Sequence, residues 1–234
     1  MTINKPHPDY IGGEVLLFDK PFEWTSFDLV RKVRNLLSRQ LKVKKLKVGH
    51  AGTLDPLATG LMIICTGKAT KTINELTGLD KEYIAMFKLG ETTPSFDLES
   101  EIDKTYAINH ITKELIVNVL DDFMGETDQI PPVFSAKYIN GKRAYEYARK
   151  GEEVQMKPSR ITITEMELLE FDLPYVTIKV RCSKGTYIRA LARDIGQKLD
   201  SGAHLTGLKR TAIGNFSIND ALTIEKFQEN LLFL

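Results

Sequence analysis

The segment from Gly60 to Gly67 sets the first constraint on the fold. Leu61-Met62-Ile63-Ile64-Cys65 is wholly apolar and bracketed by glycines. Five residues are too few for a buried helix and far short of the roughly 18–20 that cross a membrane. The run reads as a buried strand, ending at Thr66. Glu14 to Asp19 (EVLLFD) reads as another strand, ended by Lys20-Pro21. Thr25-Ser26-Phe27-Asp28 has the spacing of a capping box. It predicts a helix to about Arg39 with Phe27, Val30, Val33 and Leu37 on one face. Further helices are expected from near Ala69 to just before Gly78, from Thr112 to Met124, from Arg143 to Lys150, from Tyr187 to Leu199 and from Ile224 to Leu232. Strands are expected at Glu82–Leu89, Arg160–Phe171, Tyr175–Cys182 and Leu208–Ile213. Neighbouring strands with helices between them imply an α+β fold with a mixed, largely antiparallel sheet. No linker divides the 234 residues, so one domain over 1–234 is expected.

Between the first helix and the apolar run lies Gly49 to Gly60, GHAGTLDPLATG. It holds one carboxylate, Asp55, in a loop punctuated by glycines that let backbone approach a ligand closely. Pro56 biases Asp55 towards extended backbone, which can present its side chain outward. An Asx-type turn cap before proline would account for the residue equally well. Other chemistries leave no trace. Cys65-Thr66-Gly67-Lys68-Ala69 ends like a phosphate-binding loop, but Ala69 stands where a hydroxyl must reach magnesium, and Met62 stands at the required earlier glycine. No dinucleotide fingerprint or nucleophile elbow follows a strand. His7, His50, His110 and His204 are scattered and no C-x-x-C occurs, so neither metal nor cofactor is expected. Cys65 and Cys182 sit in apolar surroundings and suggest buried thiols in a reducing compartment.

The net charge of +1 conceals segregation. Residues 31–50 carry eight Lys or Arg and no acid, whereas residues 91–128 carry ten acids and only Lys104 and Lys113. Basic residues return at 137–160 and 181–193. A polyanion would meet the basic segments and avoid the acidic one, which favours nucleic acid over charge runs that serve only as solvated faces. The N-terminus, MTINKPHPDYIGG, has no apolar stretch of a secretion signal, so a cytoplasmic location is expected.

GHAGTLDPLATGLMIICTGKATK is very similar to the catalytic motif of TruB-type tRNA pseudouridine synthases. LLFDKP with WTSFD, KEYIAMFKLG, IPPVFSAKYINGKRAYEYARKG, VRCSKGTYIRALARDIG and GAHLTGLKRTAIGNFS resemble further stretches of that family, in the family's order, over most of residues 14–222. The resemblance implies the pseudouridine-synthase catalytic fold and conversion of a uridine in RNA to pseudouridine. In that reaction the C1′–N1 bond breaks, the uracil turns over and C5 joins C1′. The product is an isomer, so no cofactor is required.

By the same resemblance Asp55 is the essential aspartate, acting on base or sugar, and Arg189 is its arginine partner. Tyr83 is the tyrosine that stacks on the uracil. Tyr187 and Leu208 are pocket residues, His50 fills the space left by displaced bases, and Lys20 with Pro21 supports the active-site loop. RNA contact is expected at Lys42, Lys44, Lys45 and Lys47, and at Lys137, Lys142, Arg143 and Arg149 in an RNA-gripping insertion near 125–152. The implied substrate is the T arm of tRNA, with the uridine at conventional position 55 as target. A monomer needing no protein partner and no membrane is expected.

Two departures stand out. Ser95 replaces a usual threonine and Ser100 a usual glycine, so Asp97 between them is given no catalytic weight. The core is followed by no PUA-type RNA-binding domain within the 234 residues. A non-catalytic RNA-folding module on the same scaffold is the alternative. A glycosidase would need a second carboxylate about 5–10 Å away, and none can be nominated.

Overall fold

The computed structural model describes residues 8–135, 137–139, 141–148, 150–152 and 154–232. In chain order the elements are β1 (Val15–Lys20), α1 (Ser26–Gln40), β2 (Val48–His50), β3 (Ala58–Thr66), α2 (Ile73–Gly78), β4 (Lys81–Leu89), β5 (Glu91–Thr92), β6 (Lys104–Thr105) and α3 (Lys113–Asp121). They continue as β7 (Gly125–Gln129), β8 (Tyr138–Ile139), β9 (Lys142–Arg143), α4 (Ala144–Ala148), β10 (Ser159–Asp172), β11 (Tyr175–Cys182), α5 (Ile188–Lys198), β12 (Ala203–Ile213), β13 (Phe216–Ser217) and α6 (Ile224–Leu231). The chain falls into two compact units. One takes the chain up to Lys81 and again from Lys209 onward; the other is Glu82–Leu208.

In the first unit β3 pairs antiparallel with β1, from Val15 opposite Cys65 to Lys20 opposite Gly60. β2 also pairs with β3, and β13 folds back on β12. The sheet is closed off by Ala51, Leu61, Ile63, Cys65 and Ile213, with Leu17, Ala69 and Ile73 packed against them. Phe227 of α6 meets Phe18 of β1 edge to face, 5.0 Å between ring centroids. The predicted capping box is present. Thr25 accepts from the Asp28 amide while the Asp28 side chain accepts from the Thr25 amide, an arrangement worth about 1 kcal/mol. The buried stripe of α1, however, is Ser26, Leu29, Val30, Val33 and Leu37, and Phe27 is 61% exposed. At roughly 100° per residue, Phe27 lies a quarter-turn or more from the middle of that stripe.

The glycine-punctuated segment is also more ordered than its composition suggests. Its first residues belong to β2, and β3 begins at Ala58, before Gly60. Gly60 lies inside the strand at φ 107°, and a Cβ there would stand 2.3 Å from the Arg210 carbonyl oxygen. The strand passes through this position because glycine lets β12 come that close. The helix expected from Ala69 is a 3-10 stretch, Gly67–Thr72, followed by the short α2.

In the second unit the strands lie in the order β12, β4, β11, β10, β7. β10 and β11 form the long antiparallel hairpin predicted from sequence, and β7 runs along the other edge of β10 from Ser159 opposite Gln129 to Ile163 opposite Gly125. Helix α3 ends at Asp121 rather than Met124, and Gly125 opens β7 instead of merely stopping a helix. The strand expected at Leu208 starts earlier, at Ala203. Helix α5 buries Ile188, Ala190, Leu191, Ala192 and Ile195. Its Gly196 is required by contact, since a Cβ there would meet the Ala203 nitrogen at 2.3 Å. Among the described residues no helix is long and apolar enough to cross a membrane.

Candidate active site

In the first unit the residues around Asp55 are held carbonyl by carbonyl. The guanidinium of Arg210 donates Nη2 to Gly52 O (3.2 Å), Nη1 to Thr53 O (3.3 Å) and Nε to Leu61 O (2.7 Å). Ser26 Oγ, at the start of α1, donates to Leu54 O (3.0 Å) and accepts from the Leu54 amide (2.8 Å). The Asp55 carbonyl accepts from the Ala58 amide (3.1 Å). The Pro56 carbonyl accepts from Lys20 Nζ (3.3 Å) and from the Glu23 amide (2.9 Å). Five successive carbonyls, 52 to 56, therefore have donors. A fully buried carbonyl left without a partner costs about 1–3 kcal/mol, and the bonds to Gly52, Thr53 and Pro56 are part-buried. Asp55 is half-buried on a loop whose carbonyls from residue 52 to 56 are all bonded.

Lys20 is fully buried. Its ammonium also reaches Pro21 O (2.9 Å) and Trp24 O (2.6 Å), so all three protons have acceptors. Burial and the charge of Arg210 pull its pKa down to about 8, while Asp55, Asp19 and Asp28 oppose the shift. Glu23 supplies its amide from left-handed backbone, φ 64°, a conformation that costs a non-glycine residue about 1–3 kcal/mol and clusters at functional sites. His50, at the end of β2, is half-buried, and burial together with Arg210 lowers its pKa. Lys42, Lys44, Lys45 and Lys47 are all exposed on the segment between α1 and β2.

In the second unit Tyr83 lies on the buried side of β4, and Leu208 is half-buried on β12, the neighbouring strand. Tyr187 caps the N-terminus of α5. Its amide donates to Gln129 Oε1 (2.8 Å), and its carbonyl accepts from Gln129 Nε2 (3.1 Å). Arg189, in the first turn of α5, is 5% exposed. It donates to Ser95 O (3.2 Å) and Phe134 O (2.9 Å) and lies 3.5 Å from Asp97 Oδ2.

The two residues that depart from the family pattern face each other. Ser95 and Ser100 hydroxyls are 2.6 Å apart, and the Ser95 amide donates to Ser100 Oγ. Together with the Thr93 hydroxyl on Asp97 O (2.7 Å) they fold the 93–100 segment so that Asp97 is buried beside Arg189. Sequence reasoning gave Asp97 no catalytic weight, and the structure gives it a place against a residue of the implied site.

In the insertion, β8 and β9 form a two-residue ladder. Lys137 is half-buried and donates to Ser159 Oγ (2.6 Å). Lys142 is exposed, and the Arg143 guanidinium lies 3.9 Å over the exposed Tyr138 ring. Arg149 lies outside the described residues. Two structural partners, Gln129 and Arg210, had no local signal in the sequence, and Ser26 and Asp97 stood out there only for other reasons. Each acts on a segment distant in the chain or through backbone atoms.

The chain is similar to known proteins along nearly its whole length. The family description "TruB family pseudouridylate synthase (N terminal domain)" matches residues 38–188, and "tRNA pseudouridylate synthase B C-terminal domain" matches residues 189–234. A protein of Parabacteroides distasonis named tRNA pseudouridine synthase B is 63% identical over 223 residues, 95% of each chain. The protein of the same name in Flavobacterium johnsoniae is 51% identical over 224 residues, covering 95% of this chain and 98% of that one. Among solved structures, the crystal structure of a Cbf5-Nop10-Gar1 complex superposes at TM-score 0.72 and 27% identity, over 96% of this chain and 56% of that one. A structure of an H/ACA RNP bound to a substrate RNA containing 2′-deoxyuridine gives 0.68 and 26%, over 96% and 55%. This chain thus spans little more than half of those two solved chains. The pseudouridine-synthase catalytic fold and the α+β class expected from sequence are both present. By motif, by identity along nearly its full length and by fold, the chain belongs to the TruB family of pseudouridylate synthases.

Proposed function

We propose that this protein isomerises a uridine of tRNA to pseudouridine, and that the target is the T-loop uridine at conventional position 55. The relatives that share 51–63% of its residues carry the name tRNA pseudouridine synthase B. The reaction breaks C1′–N1, forms C1′–C5 and exchanges the proton at C5 for one at N1, so no co-reactant enters. Asp55 is the reacting carboxylate, Tyr83 the ring on which the flipped uracil stacks, and Arg189 the fixed cation. Tyr187, Leu208 and His50 shape the space around the displaced base, and Lys20 supports the loop. Extracting a base costs a few kcal/mol, and stacking on an aromatic ring returns about 1–3. The exposed Lys42, Lys44, Lys45 and Lys47 attract phosphates, as do Lys142 and Arg143. The enzyme works as a single catalytic unit in the cytoplasm, in keeping with its two buried cysteines.

The observation that carries the assignment of Asp55 is the unbroken set of donors to the carbonyls on either side of it. A turn-capping aspartate needs no such cage; a carboxylate that must meet a substrate atom to within a fraction of an ångström does. The test is incubation with unmodified tRNA transcript and mapping of pseudouridine at single-nucleotide resolution, with wild type and Asp55→Asn. Modification confined to the T loop in wild type, absent from the variant while tRNA binding persists, is the expected result. Equal modification by the variant removes Asp55 from the chemistry, and modification elsewhere overturns the substrate site.

A further inference from the structure

We infer that Arg210 is a positioning residue for the reaction, a buried fork that holds both ends of the Asp55 loop in the geometry needed for turnover. Arg210 heads the largest fully buried side chains, with 1% of its surface exposed, whereas the adjacent Lys209 is exposed. A buried cation is unfavourable unless its donors are matched. Here three of its nitrogens point at backbone carbonyls, not at an apolar void. Two of those carbonyls, Gly52 and Thr53, precede Asp55, and the third, Leu61, follows it on β3. One planar group thus pins the entry and the exit of the loop to each other. A lysine carries all its donors on one nitrogen and lacks the rigid fork that here reaches three carbonyls from three nitrogens.

The backbone of the same residue adds a second constraint. Gly60 is pressed against Arg210, so the strand carrying the fork and the strand leaving the loop cannot slide apart independently. The charge is also felt on both sides of the loop, for it contributes to the lowered pKa values of Lys20 and His50.

The inference rests on Asp55 being the reacting carboxylate, and the experiment separates the two. Single-turnover and steady-state isomerisation of tRNA are measured for wild type, Asp55→Asn, Arg210→Lys and Arg210→Gln, well below each melting temperature. Amide hydrogen exchange is read at Leu54 and Ala58, and at β1 and β3. A misplacement of about 1 Å can cost about 100-fold in rate. Both Arg210 variants are expected to lose about 10- to 100-fold in kcat with KM for tRNA within about twofold, and to speed exchange at Leu54 and Ala58 while the β1–β3 ladder stays protected. Arg210→Lys, which keeps the charge, should recover little of the loss. Wild-type kcat in Arg210→Lys overturns the inference. So does a loss accompanied by equally faster exchange throughout β1 and β3, which assigns Arg210 to stability alone. Should Asp55→Asn remain active, the underlying assignment fails first; should it be inactive while Arg210→Lys turns over normally, only the positioning role fails.

Discussion

Replacing Gly60 by alanine tests the close approach of β3 and β12 in the first unit. The backbone there has φ 107°, and left-handed conformations cost an L-residue about 1–2 kcal/mol. The new methyl group would also stand 2.3 Å from the oxygen, 2.6 Å from the nitrogen and 3.0 Å from the carbonyl carbon of Arg210. These are main-chain atoms, so no side-chain rotation relieves the clash. Overpacking of this kind costs about 1–3 kcal/mol, for a sum of about 2–5 kcal/mol. Gly125 is the control. Its φ is 90°, and a Cβ there meets nothing within 4 Å. Gly125→Ala therefore carries the strain without the clash, about 1–2 kcal/mol. At about 2–4 °C per kcal/mol for a chain of this size, thermal melting followed by circular dichroism should place Gly60→Ala about 4–20 °C below wild type and Gly125→Ala about 2–8 °C below. The expected order matters more than either value. A Gly60→Ala protein that melts at or above Gly125→Ala would refute the close approach as the reason for glycine at residue 60.

Two further outcomes follow from the first unit. Below pH 8 Lys20 is buried charged, and between about 8 and 10.5 the unfolded chain binds a proton that the folded one has released, so folding stability should rise with pH across that window by up to about 3 kcal/mol. Urea denaturation at pH 7, 8, 9 and 10 should show this rise in wild type and its loss in Lys20→Met; parallel pH profiles would dismiss the burial argument. If Lys44, Lys45 and Lys47 each neutralise one phosphate, the triple alanine variant should weaken tRNA binding and flatten the plot of log K against log salt by about 2–3 in slope. An unchanged slope would place the RNA elsewhere.

Much of this was legible in the sequence where the signal is local. The Thr25–Asp28 cap, the β10–β11 hairpin and α5 after Gly185 each depend on neighbours in the chain, and each lies within a residue or two of its expected bounds. Phe27 was misplaced because a large apolar side chain in the first turn looks like core until Leu29 is included in the helical stripe. β2 and β7 escaped notice because three residues, VGH, and a polar run, GETDQ, have no apolar alternation; they are strands because β3 and β10 offer them an edge. The loop holding Asp55 was visible from its glycines, but its donors were not. Arg210 bonds carbonyls 149 to 158 residues away, and one arginine beside one lysine carries no mark of which will be inside.

The cage of donors around residues 52–56 has a consequence for the partner of this reaction. If Asp55 is the reacting acid, as proposed, its backbone gives little by adapting, and the rearrangement that brings base and carboxylate together must occur mainly in the nucleic acid. Discrimination would accordingly reside in how cheaply an RNA loop unstacks, with pliant hairpins accepted whatever their flanking letters and stiffened ones refused even when every letter is correct.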